Sequence, residues 1–153
     1  MNHASRFLTA DLEAALPRLR RYARVLVGGL DGADELVAQT LAGAWRGSIP
    51  PAGTDFLTWL FGLMRAAYGR EPARASSASH DSDNLRARVM HLPLDEREVL
   101  LLVTVERLSY TDIAGLLDMP VATVIATLSR ARGRLGTFPS IDDGTKGEHP
   151  AQD

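Results

Sequence analysis

The chain has 153 residues and a mass of 16.6 kDa, enough for one ordinary domain or two small ones. Its 45% hydrophobic and 24% charged residues favour a packed core over wholesale disorder, and the absence of cysteine excludes disulfide scaffolds, cysteine zinc sites and thiol catalysis. The net charge of −2 is unevenly placed: residues 1–75 carry 9 basic against 7 acidic side chains, residues 92–135 carry 5 against 6, and residues 136–153 carry 1 against 4, so neither half is strongly basic, which argues against tight nonspecific nucleic-acid binding by the chain alone.

Residues 11–30 show apolar positions at Leu12, Ala15, Leu16, Leu19, Ala23 and Leu26, near helical spacing. Pro17 either starts that helix at its first turn or kinks it, and Gly28-Gly29 stops it. Asp31 is placed to cap a second helix running to about Trp45, with Leu36, Val37, Thr40, Leu41 and Ala44 on one side. A turn follows over residues 47–53. Thr54 or Asp55 caps a third helix from Phe56 to about Tyr68, whose buried face is Phe56, Trp59, Leu60, Leu63 and Met64.

Residues 71–84 read as a flexible linker with no apolar period. A second helical unit over residues 85–137 then begins with a short helix at Leu85–Met90 and a leucine- and valine-rich helix at Leu94–Val105. Ser109 caps a short helix, Tyr110–Leu117. Asp118-Met119-Pro120 makes a tight turn, and a last helix runs from Val121 to about Leu135. Residues 138–153 read as a disordered acidic tail. No stretch has the alternation of a strand. The expected fold is all-α: two small helical domains, residues 8–70 and 85–137, joined by a linker.

Two helices about three residues apart have the shape of a helix-turn-helix. Ser109 with Asp112 resembles a capping box. At about 100° per residue, Val124, Ile125, Leu128 and Leu135 cluster with Val121, and Thr123, Thr127, Arg130 and Arg134 fall opposite. Two hydroxyls and two guanidiniums can meet phosphates and base edges in a major groove. The same pattern also describes a plain solvated helix face, and spacing alone does not separate the two. Two arginines are few for an independent DNA binder, a deficit that a larger partner on the DNA would relieve.

The stretch Leu92–Leu135 closely resembles region 4 of bacterial extracytoplasmic-function sigma factors. The resemblance is carried by the Leu92-Pro93 opening, Asp95-Glu96-Arg97-Glu98, Leu108-Ser109-Tyr110, Ile113-Ala114, Pro120, Thr123-Val124 and Leu128-Ser129-Arg130-Ala131-Arg132. The first half resembles region 2 of the same family, in its general-stress-response branch. Leu16-Pro17-Arg18-Leu19-Arg20-Arg21-Tyr22 matches the opening, Asp34-Glu35-Leu36-Val37 with Ala44-Trp45 the polymerase-binding helix, and Trp59-Leu60-Phe61 with Arg65 the entry to the promoter-melting helix. The resemblance implies a non-enzymatic, cytoplasmic transcription initiation factor. Its partners would be core RNA polymerase, promoter DNA and an anti-sigma factor, with no cofactor, membrane or small-molecule substrate.

On the matching positions, Thr123, Thr127, Arg130 and Arg134 would read the −35 element. Arg65, Tyr68 and Arg70 would engage the −10 element, and Asp34, Glu35 and Gln39 would bind polymerase. The departures are Ala38 and Gln39 for the usual Gln and acid, Gly43 for a basic residue, the sequence Ala66-Ala67-Tyr68-Gly69-Arg70, and Ala126-Thr127 for a Ser-Arg pair. All three contact surfaces are poorer in charge than is usual. That pattern also fits an alternative, a sigma mimic that sequesters an anti-sigma factor without binding promoters, although such mimics are usually fused to a receiver domain and none fits in this chain.

No enzyme chemistry emerges. His3, His80, His91 and His149 are too scattered for a metal site, Lys146 lacks a phosphate-loop frame, and Ser76, Ser77 and Ser79 lack an elbow motif. Val99–Val103, the longest central apolar run, is far short of a membrane span, and Met1–Asp11 has no signal-peptide core. Trp45 and Trp59 are expected in the core. Tyr68 could pack or stack on an unpaired base. Arg18, Arg20, Arg21 and Arg24 form either a solvated face or a contact with DNA or an acidic anti-sigma surface. Because Val99–Val103 is apolar on more than one side, the Leu94–Val105 helix calls for further cover. Packing of the two units into a closed, inactive state would supply it, as would an anti-sigma helix between them.

Overall fold

The computed structural model describes residues 3–46, 50–70 and 85–136, with side chains from residue 9 onward. The expected linker and acidic tail, and with them His80, His149, Lys146 and Ser76, Ser77 and Ser79, lie outside the described residues. Seven α-helices and no strand are found among the described residues: α1 (His3–Val27), α2 (Ala33–Trp45), α3 (Phe56–Arg70), α4 (Leu85–Met90), α5 (Leu94–Thr104), α6 (Tyr110–Leu117) and α7 (Val121–Leu135). The all-α expectation holds.

The helix ends follow local chemistry. The first helix passes through Pro17, which sits on its exposed side, so the missing amide hydrogen bond faces water. Gly28 then ends the helix at φ 79°, a left-handed conformation that suits glycine. The second helix is capped by Gly32 at φ 81° with no side-chain cap, not by Asp31. Asp55 caps α3, its Oδ2 accepting from the Thr58 amide at 3.2 Å. Ser109 caps α6 by accepting from the Asp112 amide at 3.0 Å, and its hydroxyl donates to Asp112 Oδ2 at 2.7 Å. Asp112 thus closes the cap through the serine hydroxyl, because its shorter side chain stands in for the usual glutamate.

Helices α1, α2 and α3 pack on one another, as do α5, α6 and α7. In the first unit the core is built on Leu19, Tyr22, Leu26, Leu36, Val37, Leu60, Phe61 and Met64, with the Tyr22 and Phe61 rings edge to face at 4.8 Å. The buried face of α3 is Leu57, Leu60, Phe61 and Met64, turned one position from the expected one, with Phe56, Trp59 and Leu63 half-buried. Helix α3 also packs against α6, and Gly62 lies where an added Cβ would touch Leu116 Cδ1 at 3.6 Å.

The expectation that Trp45 is a core residue is corrected. It is 89% exposed. Helix α2 buries Ala33, Leu36, Val37 and Thr40, and Trp45 lies about 120° around the helix from the middle of that face. Trp59 remains half-buried, with its ring 5.7 Å from Phe56.

The two units are packed together. Helix α1 lies against α5 and α3 against α6. In the second unit Val99, Leu100, Leu101 and Leu102 are buried and Val103 half-buried, so the apolar girdle of α5 is covered within the chain.

Replacing Phe61 by alanine is expected to cost about 3–5 kcal/mol of stability. Trp45→Ala is expected to change it by less than about 0.5 kcal/mol. Urea unfolding of the two variants checks the corrected core, and a large loss from Trp45→Ala would contradict it.

Candidate functional site

Helices α6 and α7 meet at a bend of 98°, within the range of helix-turn-helix motifs. Asp118 makes the turn in the left-handed region at φ 53°, which a short polar side chain tolerates. On α7 the buried residues are Val124, Thr127, Leu128, Ala131 and Leu135. The buried arc is therefore turned about 60° from the one centred on Val121. Val121 and Ile125 are exposed, and Thr127 is fully buried.

Placing Thr127 on the displayed face is thus corrected. Its hydroxyl accepts from Arg130 Nη2 at 3.0 Å, which satisfies it inside the packing. Small residues at 127 and 131 are buried in the packing of α7, a weight that a count of large apolar residues misses. Thr123, Arg130 and Arg134 are exposed, as expected.

Both arginines are nevertheless engaged. Glu96 of α5, almost fully buried, lies 3.6 Å from Arg130 Nε and 3.1 Å from Arg134 Nε. Their side chains stay 52% and 58% exposed, so each guanidinium is anchored at one edge and open on the other. A carboxylate between two arginines fixes their spacing while leaving donors for an anion.

A second polar cluster lies between the units. Glu98 is buried, and its Oε1 accepts from the Tyr22 hydroxyl at 2.7 Å and from Arg65 Nε at 3.1 Å. Glu98 Oε2 has no hydrogen-bond partner among the described residues. Glu106, also buried, accepts at its two carboxylate oxygens from Arg18 Nε at 2.5 Å and Arg21 Nη1 at 2.8 Å, and its carbonyl accepts from Arg18 Nη2. Arg97 Nη1 donates to the Met90 carbonyl at 3.0 Å, and Nη2 donates to the Leu26 carbonyl at 3.5 Å.

Burial pushes the Glu98 carboxyl above its ordinary range, opposed by the Tyr22 hydrogen bond and then by Arg65 and Arg97. Burial also raises the Tyr22 phenol, with the Glu98 charge adding to it. Arg97 is lowered by burial, and Tyr68 and Glu98 act against that.

The remaining expected site residues are dispersed. Asp34 and Glu35 are exposed on α2, with Arg20 Nε 3.9 Å from Asp34 and Gln39 donating to Glu35 at 3.2 Å. Trp45 lies on the same side of α2 as Asp34. Tyr68 is half-buried against the core, Arg70 is exposed at the end of α3, and Arg65 is spent on Glu98. Three participants in these polar clusters escaped the sequence reading: Glu96, Glu98 and Glu106. The acids carry no local signal, since their partners lie 33 or more residues away in the chain. No single helix is long and apolar enough to cross a membrane, and no group of metal-ligating side chains is found among the described residues.

Residues 82–135 match the sigma-70 region 4 family, and residues 12–65 match the sigma2 domain of PhyR. The chain is 31% identical to the ECF RNA polymerase sigma factor EcfG of Rhodopseudomonas palustris (strain TIE-1), over 88% of this chain and 86% of that protein. Its structure is similar to that of the sigma factor RpoE in complex with the anti-sigma factor NepR from Bartonella quintana. There the TM-score is 0.69 and the identity 27%, with 84% of this chain and 93% of the other covered. It is also similar to CnrH in complex with the cytosolic domain of CnrY, with a TM-score of 0.60, an identity of 26% and coverage of 84% and 82%.

The Glu98 shift sets a pH dependence. A carboxyl whose pKa is raised on folding contributes stability fully below its ordinary value of about 4.3, and that contribution is lost as pH rises through the raised value. Glu98→Gln removes this term and keeps an acceptor for Tyr22 and Arg65. The stability of the variant relative to the parent is expected to rise between about pH 4 and pH 7. Urea midpoints across that range check it, and a pH-independent difference would contradict it.

Proposed function

Since the chain belongs to the ECF RNA polymerase sigma factors of the general-stress branch, we propose that it directs core RNA polymerase to promoters. The proposal includes recognition of the −35 element by the second unit and of the −10 element by the first. The observation that carries it is the match to a sigma factor over nearly the whole length of both proteins. No observation favours the mimic, and the likeness of residues 12–65 to the sigma2 domain of PhyR fits either reading.

In the second unit, Thr123, Arg130 and Arg134 on α7 form the −35 surface, with Glu96 holding the two guanidiniums at a fixed spacing. Thr127 has no part in it. In the first unit, Arg65, Tyr68 and Arg70 at the end of α3 form the −10 surface. Asp34, Glu35 and Gln39 on α2 meet polymerase, and Trp45 joins them as an anchor. An exposed tryptophan is the kind of residue that dominates binding energy once it is buried in a partner. The charges on each DNA surface are few, so most of the affinity comes from polymerase, which holds both units near their sites. An anti-sigma factor is the expected inhibitor, acting in the cytoplasm by covering these surfaces.

The deciding experiment is reconstitution with core RNA polymerase and a promoter library, read as promoter-dependent transcripts. Transcripts are expected. No transcripts together with tight anti-sigma binding would favour the mimic instead. Two variants test the assignments. Trp45→Ala is expected to weaken polymerase binding by about 2 kcal/mol with its helicity unchanged. Arg130→Ala is expected to weaken promoter binding of the holoenzyme by about 1–3 kcal/mol without affecting polymerase binding. Binding titrations of each against the parent protein check both.

A further inference from the structure

We propose that Glu98 and Glu106 form an intramolecular docking site on the second unit, which takes the arginine- and tyrosine-bearing face of α1 and α3 and holds the chain closed with Arg65 withheld from DNA. The geometry stands on its own, and the consequence for DNA rests on the promoter-recognition reading above.

The site is reciprocal. Both carboxylates of the second unit take their donors from the first: Arg18 and Arg21 for Glu106, Tyr22 and Arg65 for Glu98. In return, Arg97 of the second unit reaches the Leu26 carbonyl near the end of α1. Arg18, Arg21 and Tyr22 lie three and four residues apart, on one side of α1. The basic cluster that could have been a plain solvated face is therefore half committed. Arg18 and Arg21 turn to Glu106, and Arg24 stays exposed.

The fit is deliberate in chemistry and incomplete in satisfaction. Glu98 and Glu106 are buried because the first unit covers them, so separating the units would return both to water. Two buried atoms in the seam, Glu98 Oε2 and Arg97 Nε, have no hydrogen-bond partner among the described residues. A buried ionic seam with orphaned atoms contributes little net stability, since desolvation offsets most of the Coulomb attraction. Specific but weak closure is the property of a latch. Arg65 is the point of competition, since its Nε cannot hold Glu98 and meet nucleic acid together.

The test uses the full chain. The double variant Arg18→Ala/Arg21→Ala removes two exposed-tip side chains and leaves Glu106 buried without a counter-charge. Its radius of gyration from small-angle scattering is expected to exceed that of the parent, with the same helical circular dichroism. Adding Glu106→Gln, which removes the stranded charge, is expected to restore compaction. Glu13→Ala, an exposed change elsewhere on α1, is expected to leave the size unchanged.

Opening is also expected to strengthen binding of the free chain to promoter DNA by about five- to tenfold, because the fraction with Arg65 released rises. A double variant as compact as the parent would overturn the proposal. An expanded variant with unchanged promoter affinity would overturn the withholding role. Expansion with no polymerase binding by any variant, the parent included, would support the docking site and refute the proposed function. Arg65→Ala gives a second route to an opened chain, and compactness there would likewise count against the latch.

Discussion

The arrangement of this protein depends on two carboxylates that are buried with their counter-charges on the other unit. Glu98 and Glu106 sit on or just after α5, and the side chains that satisfy them come from α1 and α3. An uncompensated carboxylate in such a place costs several kcal/mol. The packing of the two units is thereby specific in register: Arg18 and Arg21 must meet Glu106 while Tyr22 and Arg65 meet Glu98. Apolar contact alone would permit sliding, as hydrophobic attraction has no direction.

The same helix serves both sides of the molecule. One edge of α5 gives Glu98 to the first unit, and Glu96, two residues earlier, goes to Arg130 and Arg134 of α7. Between them the Val99–Leu102 run fills the core of the second unit. Helix α5 is thus a hub that fixes the spacing of the arginines proposed for the −35 element and also holds Arg65, proposed for the −10 element. The two proposed DNA surfaces are tied through one short helix.

Most of the fold was legible in the sequence because the signals were local. Ser109 with Asp112 marked the start of α6, Asp118-Met119-Pro120 the turn before α7, and Gly28-Gly29 the end of α1. Periodicity identified Leu19, Leu36, Leu60 and Met64 as core. What was not legible is set by contacts far apart in the chain. Thr127 is buried in the packing of α7 against its neighbours, and α3 meets α6 as well as its own unit. Trp45 is exposed because α2 ends with its tryptophan off the packed face, although the expectation placed it on an apolar face of that helix. In the candidate site, Thr123, Arg130 and Arg134 could be read from helical spacing. Glu96, Glu98 and Glu106 could not, since nothing near an acidic residue in sequence announces a distant arginine.

The closed packing of the units can be measured directly, and the absence of cysteine makes the labelling simple. Spin labels are attached through Arg24→Cys on α1 and Arg107→Cys just after α5, two exposed positions outside the ionic seam, and the distance between them is measured by pulsed electron resonance in the free protein. The account predicts one narrow, short distance distribution. A broad distribution centred at long distances, as for two bodies on a free tether, would contradict it.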